Sequence, residues 1–162
     1  MRRLKSWWLP LALILLIQWI NGSGLLEGGV PVPPLKGELA DGRAYGGAAE
    51  EKGPFLVYFW GSWCWVCKSM ENSIGRIAKD HRVLTVALRS GDAATVSGYL
   101  ADRGLTYDAL VDASGRLAEA FQVQGVPALF FVDGNGRIQS ATRGYTSELG
   151  IRFRLWRMAG FQ

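Results

Sequence analysis

Cys64 and Cys67 are the residues of this chain whose type and spacing could do chemistry, and they are its two cysteines. Trp65 and Val66 separate them. The pair follows the apolar run Phe55–Trp60, which predicts a buried strand, and so it stands at a strand-to-helix turn. A C-x-x-C pair at such a turn favours reversible thiol–disulfide chemistry over structural bracing.

A helix predicted to begin near Cys64 gives the two cysteines different roles. Unpaired backbone N–H groups and the positive end of the helix dipole stabilise a thiolate at Cys64, which we predict to be the nucleophile. Cys67 lies one turn along the same helical face, near enough to attack a mixed disulfide on Cys64 and release the partner. We therefore predict Cys67 to be the resolving thiol.

Two other uses of the cysteine pair stay open from the residues alone. A structural disulfide that closes so short a loop constrains the unfolded chain little, and it therefore stabilises the fold little. Tetrahedral zinc needs about four ligands, and here only His81 and scattered carboxylates could complete the set. We expect His81 at a helix end or on the surface, and we predict no metal site. Two thiolates could hold Cu(I), with Met70 and Met158 as the soft ligands outside the N-terminal segment.

Residues 1–22 have the composition of a membrane anchor or an export signal. A basic flank precedes residues 7–20, which are uncharged and apolar except for Gln18. Tryptophans at both ends of the apolar run, and a poor small-residue cleavage signal at 22–24, favour an uncleaved, single-pass anchor in a bacterial inner membrane. The basic flank should stay in the cytoplasm, which places the rest of the chain in the periplasm. Secretion after signal cleavage is the alternative.

The charge balance does not support a nucleic-acid partner. The formal net charge is +4, from 18 Lys and Arg against 14 Asp and Glu. Three of the basic residues lie in the first five positions, and the remaining 15 nearly balance the 14 acidic ones. A chain of 162 residues that is 49% hydrophobic and 20% charged is typical of one globular domain, which excludes the disordered and fibrous classes.

The order of the predicted elements indicates an α/β fold. Residues 23–34 are rich in Gly and Pro and predict a tether that lifts a domain at 35–162 off the bilayer. Strands and helices then alternate, which predicts a sheet with helices on both faces. The predicted elements are a hairpin at 35–45, strands at 55–60, 83–88, 109–111, 128–132 and 137–141, and helices from the cysteines to 80 and at 93–103, 117–121 and 147–159. The last helix places Leu149, Phe153 and Trp156 on one apolar stripe, and we expect it to pack on the sheet; a membrane-surface helix is the alternative.

The segment Phe59-Trp60-Gly61-Ser62-Trp63-Cys64-x-x-Cys67-Lys68 resembles the F-W-A-x-W-C-x-x-C-[KR] signature of the thioredoxin superfamily. The single anchor, the hairpin before the central strand and the stretch G-V-P-A-L-F-F-V-D at 125–133 make the chain similar to the membrane-anchored TlpA-like, DsbE-like branch. Residues 83–91 (V-L-T-V-A-L-R-S-G) and those just after them most resemble ScsD-type proteins, the suppressor-of-copper-sensitivity disulfide oxidoreductases. The resemblance implies a thioredoxin-like fold, with a central mixed β-sheet flanked by helices and an N-terminal hairpin.

The resemblance also implies roles for residues around the cysteines. Pro127 matches the family's cis-proline, whose loop lies against the active-site disulfide. The backbone of Val126 would pair with an extended segment of the substrate. We expect Trp63, Trp65 and Val66, which flank the cysteines, to support the site.

The chain departs from the family pattern at positions that concern proton transfer and redox potential. Tyr58 stands where thioredoxins often hold a buried Asp, proposed as the proton acceptor for the resolving thiol. Glu71 only loosely resembles the acidic residue that follows the motif, and we expect it to be a solvated helix residue. The Trp65-Val66 dipeptide lacks the common proline. Val126 stands where many TlpA-like reductases have Thr, whose hydroxyl could hydrogen bond near the sulfur.

From the resemblance we expect an extracytoplasmic oxidoreductase. It would exchange disulfides with proteins through Cys64 and Cys67, and this chemistry needs no cofactor. A reductase supplied with electrons by a membrane partner is the first expectation, and an oxidase is the alternative. A copper-binding or chaperone module is the alternative from a different functional class. The missing T-x-x-C around Cys64 argues against a peroxiredoxin-like enzyme.

Overall fold

The computed structural model describes residues 25–26, 28–47 and 53–159. The predicted anchor over residues 1–22 lies outside the described residues. Within the described part of the chain, no helix is both long enough and apolar enough to cross a membrane.

The described residues form eight strands and four helices, and strands alternate with helices over residues 55–132. The strands are β1 (Val30–Pro31), β2 (Gly37–Glu38), β3 (Ala44–Tyr45), β4 (Phe55–Trp60), β5 (Arg82–Leu88), β6 (Ala109–Asp112), β7 (Ala128–Val132) and β8 (Arg137–Arg143). The helices are α1 (Trp65–Asp80), α2 (Ala93–Asp102), α3 (Arg116–Ala120) and α4 (Glu148–Ala159). From β4 onward, each predicted element is present, with bounds within two residues of those predicted.

Six of the strands form one mixed sheet in the order β1-β8-β7-β4-β5-β6. β4, β5 and β6 are parallel, whereas β7 runs antiparallel to β4, β8 to β7, and β1 to β8. β2 and β3 form the predicted hairpin as a separate two-stranded sheet. The prediction of a mixed sheet flanked by helices is therefore confirmed.

β4 lies at the centre of the sheet, and all six of its side chains are buried. Because successive side chains of a strand point to opposite faces, β4 contributes to two cores. Tyr58 and Trp60 belong to the core that also contains the buried residues of α1, α2 and α4. Val57 and Phe59 belong to the core on the other face, which α3 covers. The two-sided burial explains why β4 has a continuous apolar sequence.

The structure differs from the prediction of a tether at 23–34. Leu25 is buried in the core, and β1 pairs with the edge strand β8 through backbone hydrogen bonds of 2.8 Å from Gly29 to Ile138 and from Val32 to Gly136. Without β1, the outer edge of β8 would expose unpaired backbone N–H and C=O groups. Pairing with β8 therefore orders the β1 segment despite its Gly and Pro content. Leu25 and the β1 segment therefore pack on the domain.

Candidate active site

The β4–α1 turn carries both cysteines, which are joined by a disulfide bond. Cys64 is the N-cap of α1, which confirms the predicted start of the helix. Its Sγ accepts a hydrogen bond of 3.2 Å from the backbone N–H of Cys67. The sulfur of Cys64 therefore occupies the position that an N-cap side chain normally takes, beside unpaired N–H groups and the positive end of the helix dipole.

The two cysteines differ in how accessible they are. Both residues are buried, but Cys64 is 7% exposed and Cys67 only 1%, so Cys64 is the one nearer to the surface. Trp63 and Trp65 are 59% and 79% exposed beside it. Large aromatic surfaces next to a reactive sulfur are suited to contact another protein.

The loop before β7 lies against the disulfide, as the resemblance implied. The Val126–Pro127 peptide bond is cis. The carbonyl oxygen of Val126 is 3.7 Å from Cys64 Sγ, and the carbonyl of Pro127 accepts a 2.8 Å hydrogen bond from Gly144. Antiparallel pairing of β7 with β4 places this loop beside the end of β4 from which the cysteines follow.

Trp63 is held in place by residues that sequence reasoning missed. Its Nε1 donates to the carbonyl of Leu88 over 3.3 Å, and the neighbouring backbone N–H of Ser62 donates to Ser90 Oγ over 3.0 Å. The indole packs on Gly61 so closely that a Cβ there would lie 2.6 Å from the ring. The sequence feature that could have indicated this contact is Gly61, which stands where the family signature has Ala.

Glu71 is buried, so the prediction of a solvated helix residue is wrong. It is 4% exposed, and its carboxylate accepts a 2.5 Å hydrogen bond from Arg103 Nε and another from the hydroxyl of Tyr99. Tyr99 lies on α2 and Arg103 is the C-cap of that helix, four positions later, so the two side chains lie on the same side of it. The contact joins α1 to α2 within the core that contains Cys67.

Two buried tyrosine hydroxyls lie in the same core. The hydroxyls of Tyr58 and Tyr107 have no hydrogen-bond partner in the part of the chain that the structure describes. Burial raises the pKa of both phenols, and the negative charge of Glu71 adds to the effect. Burial, with the hydrogen bond to Glu71, also raises the pKa of Tyr99 to about 12. Tyr58 is therefore protonated at neutral pH and does not replace the family's Asp as a proton acceptor.

His81 is the C-cap of α1, and its backbone N–H donates to Ile77 over 2.8 Å. This confirms the prediction of a helix-end histidine. Among the described residues, no three His, Cys, Asp or Glu side chains are grouped so that they could hold a metal ion.

The fold and the cysteine site define the class of protein. Residues 43–151 match the family model described as a thioredoxin-like domain, and the chain belongs to this family. The matched region includes the hairpin strand β3, the disulfide and the cis-proline loop.

The relatives of the chain carry names from thiol–disulfide chemistry. It is 34% identical over 108 residues to a thioredoxin-like protein of Haemophilus influenzae, which covers 66% of this chain and 64% of that protein. It is 34% identical over 89 residues to a homolog of the thiol:disulfide interchange protein DsbE in Paracoccus denitrificans, over 54% of this chain and 49% of the relative. Another relative is the thiol-disulfide oxidoreductase ResA of Geobacillus kaustophilus, at 31% identity over 97 residues, or 57% of this chain and 55% of that one.

The matches thus span about half to just under two thirds of these relatives' lengths. They support the DsbE-like, TlpA-like branch, and the closer resemblance to ScsD-type proteins stays a prediction.

Solved structures have the same fold. The pneumococcal exposed lipoprotein thioredoxin of Streptococcus pneumoniae superposes with a TM-score of 0.65 at 27% identity, over 77% of this chain and 99% of that one. A DsbE-named protein of Chlorobium tepidum gives a TM-score of 0.73 at 19% identity, over 82% and 98% of the two chains. The second likeness concerns the fold alone.

Proposed function

We propose that this protein is an extracytoplasmic thiol–disulfide oxidoreductase that exchanges disulfides with protein substrates through Cys64 and Cys67. The observation that carries the proposal is the disulfide at the N-terminus of α1, with Cys64 Sγ 3.7 Å from the carbonyl oxygen of Val126. A disulfide placed only for stability would not need a reachable sulfur at a helix N-terminus. The DsbE and ResA relatives, named a thiol:disulfide interchange protein and a thiol-disulfide oxidoreductase, support the same chemistry.

In the reducing direction, the reaction starts from the dithiol. The Cys64 thiolate attacks one sulfur of the substrate disulfide, forms a mixed disulfide and expels the other substrate sulfur as a thiolate. Cys67 loses its proton and attacks Cys64 Sγ, which forms the Cys64–Cys67 bond and releases the second substrate thiolate. Two electrons pass from the protein to the substrate, and each released thiolate takes a proton from solvent.

The surroundings of Cys64 suit these steps. The N–H of Cys67 points at Cys64 Sγ, and this contact favours the thiolate over the thiol. The backbone of Val126 and Pro127 would hold an extended segment of the substrate beside the sulfur. Trp63 and Trp65 would bury apolar surface of the substrate, with Val66 behind them.

We further propose that residues 1–22 anchor the protein in the inner membrane with the domain in the periplasm. The apolar composition of residues 7–20 supports this placement. We propose that the protein works as a reductase, recharged by a membrane electron-transfer partner, because reduction in an oxidising compartment needs an electron supply. Disulfide oxidation is the alternative direction.

Trapping the mixed disulfide tests the chemistry. In Cys67→Ser, the resolving step is blocked, and substrate proteins should stay bound to Cys64 through bonds that dithiothreitol cleaves. Cys64→Ser is the matched control and should trap nothing. If neither variant forms adducts but copper binding is lost in both, the copper-module alternative is correct and the proposal is refuted.

The reduction potential tests the direction. The chain is equilibrated with glutathione or dithiothreitol buffers, and the fluorescence of Trp63 and Trp65 reports the redox state. A potential near or below about −200 mV supports a reductase, whereas one near about −120 mV indicates an oxidant. A protein without a reversible two-electron transition would refute both directions.

A further inference from the structure

Helix α4 carries an exposed apolar stripe that the redox chemistry does not use. Leu149, Phe153 and Trp156 are 80%, 56% and 66% exposed, and the two aromatic rings lie 6.0 Å apart. The spacing i, i+4, i+7 puts the three side chains on one face of the helix. Ile151 and Leu155 are buried in the core from the opposite face. The helix packs on the sheet as expected, but through Ile151 and Leu155, and the stripe singled out from the sequence is its exposed outer face.

Arginines border the stripe on both sides. At 3.6 residues per turn, Arg152 and Arg157 lie about 70° to either side of the line through the three apolar residues. Arg152 pairs with Asp80 at 2.9 Å and with Glu148 at 3.0 Å. Arg157 forms no ion pair with any described residue. The outer face of α4 thus combines apolar side chains with a cation that has no acidic partner within the described chain.

We infer that this stripe docks on the surface of an anionic lipid bilayer. Trp, Phe and Leu bordered by Arg is the pattern of a helix that lies in a membrane interface, with the rings among the headgroups and the guanidinium groups at the phosphates. Arg side chains can cover apolar surface with their stems while their charged ends reach the phosphates.

The short connection between the proposed anchor and the domain keeps α4 within reach of the bilayer, and the inference rests on the membrane attachment proposed above. The apolar run ends at residue 20 and Leu25 is already packed on the domain, so the intervening chain spans at most about 17 Å. A domain of this size has a radius of gyration of about 14 Å, so it is held close to the bilayer. Leu25 packs in the core on the face of the sheet opposite α4, so the short connection sets how far the domain lies from the bilayer, and the exposed stripe sets which face meets it. α4 lies over β7, where the Arg154 guanidinium sits 5.6 Å from the centre of the Phe131 ring.

Docking through α4 would leave the disulfide away from the lipid. Arg152 pairs with Asp80, the last residue of α1, and Glu148 pairs with Arg76 one turn earlier, so α4 packs beside the C-terminal part of α1. A helix of 16 residues such as α1 is about 24 Å long, and Cys64 stands at its other end. Trp65, next to Cys64, is then a tryptophan that docking does not bring into contact with lipid.

The test uses the full chain, with its cysteines reduced, in phosphatidylglycerol vesicles that contain brominated lipids, which quench tryptophans in contact with them. The difference in fluorescence between the unsubstituted chain and Trp156→Phe reports Trp156 alone. The same difference for Trp65→Phe is the matched control, because Trp65 lies at the other end of α1. We expect strong quenching of the Trp156 signal and little quenching of the Trp65 signal. The Trp156 quenching should fall in phosphatidylcholine vesicles, and in a variant that combines Leu149→Ser with Phe153→Ser.

Three outcomes would overturn the inference. The Trp156 signal could stay unquenched, both tryptophans could be quenched alike, or the Trp156 emission could shift with protein concentration and not with lipid, which would assign the stripe to a second copy. Flotation of the same vesicles measures attachment separately. A chain that fails to float refutes the membrane anchor and the docking together, whereas a floating chain with an unquenched Trp156 refutes the docking alone. Trapping of mixed disulfides by Cys67→Ser is independent of both results.

Discussion

Replacing Tyr58 by Phe should stabilise this protein, although the residue lies at the centre of the sheet. Tyr58 is completely buried, and its hydroxyl has no hydrogen-bond partner among the described residues. In the unfolded chain the hydroxyl bonds to water, so folding gives up that interaction without replacing it. Tyr58→Phe keeps the ring and removes the group that carries this cost.

The magnitude follows from the buried hydroxyl. An unpaired buried polar group costs about 1–3 kcal/mol, and the small void left by the missing oxygen reduces the gain, so we expect about 1 kcal/mol. For a domain of this size, such a gain raises Tm by about 3–5 °C. Tyr99→Phe is the matched control, because it removes a hydroxyl that donates to the Glu71 carboxylate, and it should cost about 1–2 kcal/mol.

Thermal unfolding followed by near-ultraviolet circular dichroism in mild detergent compares the three proteins. We expect Tm to rise in Tyr58→Phe and to fall in Tyr99→Phe. A general effect of replacing Tyr by Phe could not produce opposite changes. If Tyr58→Phe lowers Tm as Tyr99→Phe does, the Tyr58 hydroxyl is hydrogen bonded in solution and the reasoning is refuted.

Further predictions concern the same core and the active-site turn. Glu71→Gln keeps the shape but removes the charge that Arg103 contacts, and should lower the free energy of unfolding by about 1–2 kcal/mol in denaturant titrations; an unchanged midpoint would contradict this. Gly61→Ala should lower the free energy of unfolding by about 1–3 kcal/mol and slow disulfide exchange, because the added Cβ would displace Trp63. Gly75→Ala is the control: Gly75 lies on open surface of α1, so this change should raise the free energy of unfolding by up to about 1 kcal/mol. Above pH 10, unfolded tyrosines lose their protons while Tyr58 and Tyr107 keep theirs, because burial raises their pKa. Stability should therefore fall as pH rises, by about 1.4 kcal/mol per pH unit for each of the two, and Tyr99 adds to the fall until its own pKa of about 12 is reached. Tyr58→Phe should reduce the slope by about 1.4 kcal/mol per pH unit, and an unchanged slope would argue against the prediction.

The tertiary structure corrected the sequence reasoning where burial depends on distant parts of the chain. Glu71 reads as a surface residue of α1, because charged helix residues are mostly exposed and Lys68 stands one turn before it. Its partner Arg103 is 32 positions away and reaches it only because α2 packs across α1. The segment around β1 reads as a flexible linker, yet β8, more than 100 residues later, offers an unpaired edge that orders it.

The local patterns, in contrast, were sufficient for the chemistry. A continuous apolar run of six residues, followed at once by C-x-x-C, predicts a buried strand, a turn and a helix whose N-terminus holds the first sulfur. These features depend on neighbours within a few residues, so the sequence by itself determined the strand and helix order and the cysteine site. Only the tertiary structure decided which polar groups are buried beneath Cys67, what holds Trp63, and that α4 keeps an apolar outer face, because each depends on how elements far apart in the sequence pack together.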